Sequence, residues 1–148
     1  MCRKNLMSMS LVALFPLLFI DGYGQTTITL GEQDFPGDQF SIEGPYSFNQ
    51  RSQRTQTLIT AIELQDNGLT QGDITEIGFQ VADLVPNGAL EDFTIRMGPS
   101  TGDFDFEFEP NLSEYFSTSS YTPNGGWNIH ILDVPYQWDG FSDIILET

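Results

Sequence analysis

The sequence predicts an all-β domain, an antiparallel β-sandwich or jelly-roll-like fold with one short helix near residues 61–67. Short runs of β-branched and aromatic residues, bounded by Gly, Pro, Asn and Asp, recur at spacings of roughly 8 to 12 residues. One window alternates strictly between apolar and acidic residues, and a single stretch carries the signals that open and close a helix. The chain is strongly acidic, yet 12 Phe, 5 Tyr and 2 Trp supply the apolar area that disordered acidic chains lack.

Residues 1–24 read as a signal peptide. Arg3 and Lys4 precede an unbroken apolar run over 11–20, too short for the roughly 20 residues a spanning helix needs. Gly22 and Gly24 are the small residues that direct cleavage after Gly24, making Gln25 the first mature residue. Cys2 lies before the apolar run, not after it, so no lipoprotein anchor is implied. Residues 25–148 have the size of one domain. They keep three basic residues (Arg51, Arg54, Arg96) against 20 acids, a formal charge of −17. Nucleic-acid binding, which draws on Lys and Arg to neutralise phosphate, is excluded, and no membrane span is expected after cleavage. Losing Cys2 removes every thiol, and His130 is the only histidine. Disulfides, Cys-ligated metals and the usual zinc sets are therefore out of reach.

A first strand is expected over 26–30. Residues 31–49 are loop-rich, with Pro36-Gly37 and Gly44-Pro45 as turns and Phe40, Tyr46 and Phe48 as anchors. A strand over 53–59 leads into Thr60-Ala61-Ile62-Glu63, which fits a capping box, and Gly68 suits the left-handed position that ends a helix. Strands follow over 74–81 and 93–97, the second with Phe93, Ile95 and Met97 on one face. The window 104–109 (FDFEFE) places Phe104, Phe106 and Phe108 on one side of a strand and Asp105, Glu107 and Glu109 on the other. A further strand is expected over 114–117. Pro123-Asn124-Gly125-Gly126 reads as a hairpin turn into a strand over 127–134. The chain closes on strand-like sequence over 143–147, which points to truncation at the C-terminal end.

Two constellations carry candidate chemistry. Asp103, Asp105, Glu107 and Glu109 could offer oxygens to Ca²⁺, a hard cation that takes six to eight of them. Carboxylates two residues apart on a strand are about 6.6 Å apart, however, so a solvated acidic face is the simpler expectation and any Ca²⁺ site a weak one. Trp127, Tyr136 and Trp138 could line a glycan platform if exposed. Residues of this size are more often core, and core is expected for Trp127 and Trp138. His130 shares a strand face with Asn128 and reads as a satisfied structural imidazole. No pair among the acids is singled out for acid–base hydrolysis, and no catalytic residue is assigned.

The stretches QTLITAIEL (56–64), GLTQGDITEIGFQV (68–81), LEDFTIRMG (90–98), FEPNL (108–112), YTPNGGWNIHIL (121–132) and PYQWDGFSDIILE (135–147) stand in a familiar order. Together they resemble a β-sandwich domain recurrent in secreted and cell-surface multidomain proteins of bacteria with type IX secretion, found beside fibronectin type III, PKD-like and C-terminal sorting domains. The resemblance covers about two thirds of the chain. It implies export and modular architecture, and it brings no catalytic residues. The function expected is an exported non-catalytic interaction or spacer module, secreted or at the cell surface, with an extracellular glycan or protein as ligand. The alternative is an ancillary domain of a secreted hydrolase whose catalytic domain lies outside this chain.

Overall fold

The structure is a computed structural model, and the residues it describes are 24–31, 44–46, 52–81, 88–102 and 108–148. In chain order they form β1 (Gln56–Ile59), α1 (Ala61–Asp66), β2 (Gly72–Val81), β3 (Leu90–Pro99), β4 (Ser113–Tyr121), β5 (Gly126–Trp138) and β6 (Ile144–Glu147). The strands make two antiparallel sheets: one of four strands in the order β1-β6-β3-β4, and a two-stranded ribbon, β2-β5. This is the all-β, sandwich-like class that the alternating patterns predict, with one short helix.

A single apolar cluster joins the two sheets. Phe93, Ile95 and Met97 of β3 and Ile144 and Leu146 of β6 come from the four-stranded sheet, and Leu132, Tyr136 and Trp138 of β5 from the ribbon. Ala61 and Leu64 of α1 complete it. The face predicted for Phe93, Ile95 and Met97 is the one that is buried.

Both ends of α1 follow from its sequence. The Thr60 hydroxyl accepts the Glu63 amide at 3.2 Å, the forward half of the capping box. The Ala61 amide donates to Asp143 Oδ1 at 2.7 Å, so the residue before β6 serves as a tertiary cap. At the other end Gly68 takes a φ of +92°, which an L side chain rarely adopts. Leu69 N–H then reaches the Leu64 carbonyl and Gly68 N–H the Gln65 carbonyl, each at 2.9 Å, the paired bonds of a Schellman motif.

Two expectations need correction, and a third falls mostly outside the described residues. Residues 26–30 form no strand; Ile28 and Leu30 pack against the core without joining either sheet, so side-chain burial there proceeds without backbone pairing. Residues 122–125 do not close a hairpin, because β4 and β5 belong to different sheets. This turn carries the chain across the sandwich. Of the alternating window 104–109, only Phe108 and Glu109 are described, and neither is in a strand. Phe108 is exposed, with the Arg54 guanidinium 4.7 Å above its ring.

Candidate interaction face

Over residues 127–131, β5 is amphipathic in the opposite sense to most half-buried strands, before the same inward face turns apolar at Leu132, Tyr136 and Trp138. Its even-numbered residues Asn128 and His130 point inward and are buried, while Trp127, Ile129 and Ile131 point outward. The outward three are 49%, 52% and 68% exposed. Trp127, expected in the core, therefore lies on the surface.

The inversion is stable because both inward polar groups are satisfied. Asn128 accepts from the Tyr121 hydroxyl at 3.0 Å and from the Asn124 amide at 2.8 Å, and donates to the carbonyls of Asn124 at 2.7 Å and Gly126 at 3.1 Å. One side chain thus holds the turn between the sheets. His130 Nε2 lies 2.6 Å from the Tyr46 hydroxyl, and the rings of Tyr46, Phe79, Phe93, Phe116 and Tyr121 surround the imidazole. Burial holds His130 below its ordinary pKa of 6.5. Burial, with Tyr121 alongside, pushes the Tyr46 hydroxyl above the usual tyrosine range. The pair is neutral at pH 7, the state expected of a structural imidazole.

Cross-strand register then assembles the outward row. Gln80 stands opposite Trp127, Gly78 opposite Ile129 and Glu76 opposite Ile131. A Cβ on Gly78 would meet Ile129 Cδ1 at 2.6 Å and Trp127 Cε3 at 3.4 Å, so both side chains lean over the glycine and touch the same patch of backbone. The result is a continuous apolar strip along β5, about 13 Å from Trp127 to Ile131 at 3.3 Å per residue. Exposed Asp133 lies beyond its end and exposed Glu76 beside it. Past Ile131 the ribbon is irregular. Ile74 pairs with Tyr136 and Glu76 with Ile131, so four residues of β5 face only Thr75. Pro135, without an amide to donate, suits that irregular stretch.

Of the candidates read from sequence, Trp127 lies on this strip and the others do not. Asp103, Asp105 and Glu107 lie outside the described residues. Glu109 accepts from the Thr101 hydroxyl at 2.9 Å, and its backbone exchanges two hydrogen bonds with the Gln56 side chain. Among the described residues no group of three His, Cys, Asp or Glu side chains is placed to hold a metal ion. The glycan platform of Trp127, Tyr136 and Trp138 does not form. Tyr136 and Trp138 are 7% and 2% exposed, with the Trp138 indole donating to the Ser142 carbonyl at 2.8 Å. Alternation itself separates them: Tyr136 and Trp138 share the buried even-numbered face of β5 with Asn128, His130 and Leu132, opposite Trp127.

On the far side of the molecule, register builds a polar ladder across all four strands of the larger sheet: Gln56 of β1, Glu147 of β6, Arg96 of β3 and Glu114 of β4. Buried Glu147 accepts from Arg54 Nε at 2.7 Å, from Gln56 Nε2 and from Arg96 Nη1 at 3.1 Å. Burial pushes its carboxyl up, but the hydrogen bonds from Gln56, Arg54 and Arg96 and the Arg54 charge outweigh that and hold it below its ordinary 4.5. Such an array reads as a register lock, with Arg54, Gln56 and Arg96 all engaged by the one carboxylate. An open depression of about 480 Å³ lies where β4 meets the irregular part of β5, lined by Glu114, Tyr115, Val134, Pro135, Asp73 and Gln137. Its walls leave the two carboxylates in water.

Comparison of the chain with family models, curated proteins and solved structures found no match. No helix among the described residues is long and apolar enough to cross a membrane.

Proposed function

We propose that this chain is an exported, non-catalytic interaction module that binds an extracellular ligand through the outer face of the β2-β5 ribbon. The observation that carries the proposal is the inverted strand: β5 buries Asn128 and His130 and exposes Trp127, Ile129 and Ile131. Exposed apolar residues scattered singly need no explanation, but a contiguous strip on a regular strand is a surface that another molecule covers. The signal-like N-terminus and the ordered resemblance to modules of bacterial surface proteins support export. A lone, caged histidine and committed arginines support binding over chemistry.

The test is surface plasmon resonance of the purified chain against immobilised extracellular glycans and cell-surface proteins, beside the triple variant Trp127→Ser, Ile129→Ser, Ile131→Ser. The expected outcome is a ligand whose affinity drops at least roughly tenfold in the variant, about 1.4 kcal/mol, with the melting temperature unchanged. Turnover of a panel member by the wild-type chain, or binding indifferent to the three substitutions, would sink the proposal.

A further inference from the structure

We infer that the partner of the β2-β5 face is a protein surface with an apolar centre rimmed by Lys and Arg, and not a second copy of this chain. The inference rests on the binding face proposed above and deepens it through charge. The apolar strip is bordered by carboxylates, Glu76 across from Ile131 and Asp133 beyond it. No described cation balances them: Arg54 and Arg96 both converge on Glu147 at the opposite sheet. The formal charge of −17 over residues 25–148 extends the same sign across the molecule.

A surface of this composition discriminates by sign. Two copies meeting through the strip would bring four rim carboxylates together within roughly one Debye length, about 8 Å at physiological salt, with no cation among the described residues placed to offset them. A neutral glycan would use Trp127 alone, because branched Ile129 and Ile131 offer no flat ring to a sugar face. A basic-rimmed partner uses everything present. Its apolar centre covers Trp127, Ile129 and Ile131, its cations meet Glu76 and Asp133, and the long-range field speeds encounter.

The test uses the full chain and three extended peptides of about ten residues, long enough to span the strip at about 3.3 Å per residue. They alternate Lys/Leu, Glu/Leu and Ser/Leu, and a Lys/Ser peptide controls for charge alone. Affinities are measured by fluorescence anisotropy for the wild type and for Ile129→Ser/Ile131→Ser. The expected result is that Lys/Leu binds best, weakens roughly tenfold in the variant, and weakens again between about 0.05 and 0.5 M salt, while the variant leaves Lys/Ser unchanged. Variant-sensitive binding of Glu/Leu or Ser/Leu at least as tight as Lys/Leu overturns the cationic partner and leaves the binding face standing. Absence of any variant-sensitive binding overturns both. A dimer in sedimentation velocity that Ile129→Ser/Ile131→Ser dissociates replaces the basic partner with a second copy.

Discussion

His130 shows how a residue that looks like chemistry becomes architecture. Its Nε2 partner is a tyrosine hydroxyl, and aromatic rings enclose it. In that setting the charged imidazolium is disfavoured and the folded pKa is depressed below 6.5. The unfolded chain then binds a proton that the folded chain refuses. Stability is full above about pH 6.5 and falls as pH drops from there toward the folded value, by at most about 1.4 kcal/mol per pH unit. Because this is the only histidine, its ring proton can be followed directly by NMR. The expected midpoint lies below 6.5 and urea-unfolding free energies fall from pH 7 to pH 6; a midpoint at or above 6.5 would show that the cage leaves the ring solvated.

At the scale of elements, α1 and β5 differ in how local their causes are. The helix is written in adjacent residues: Thr60 starts it and Gly68 stops it, and both signals are legible because caps act over three or four positions. Thr60→Ala should cost about 1 kcal/mol in denaturant unfolding, an effect that a cost near zero would assign to Asp143 as the dominant cap. β5 is also legible as a strand, since WNIHI (127–131) alternates between apolar and polar residues. Its facing is not, because periodicity separates two faces without saying which is inside. Ile129→Ser and Ile131→Ser should each change stability by no more than about 0.5 kcal/mol, whereas Phe93→Ala should cost about 3 kcal/mol or more. If either serine variant unfolds the domain, the strip is core and the assigned facing is wrong.

Across the whole molecule, stability is anchored on two separate features, the apolar cluster between the sheets and the ladder through Glu147. The pH dependence of the second has the same sign as that of His130 and the opposite cause, since here the charged form is the one favoured by folding. A carboxyl held below 4.5 contributes stability that is present above that pH and is lost as pH falls through the depressed value. Glu147→Gln should lower the unfolding free energy at pH 7 by roughly 2 kcal/mol, the scale of hydrogen bonds to a charged group, discounted because Arg54 and Arg96 are partly solvated. Urea unfolding at pH 7 and at pH 4 checks both halves, since the variant should also lose part of the wild type's acid sensitivity.

The sequence by itself determined the class, the helix with its caps, and the strand of Phe93, Ile95 and Met97. Each of these depends on composition or on residues within a few positions of one another. Only the tertiary structure decided that β4 and β5 lie in different sheets, that Tyr136 is core, and that Trp127 is surface. Those outcomes depend on partners far along the chain: Tyr46, which meets the buried His130 beneath the strip, is 84 residues away from it. An exposed apolar strip made by inverting an otherwise ordinary alternation leaves no mark in periodicity, because alternation is unchanged when the two faces of a strand are exchanged.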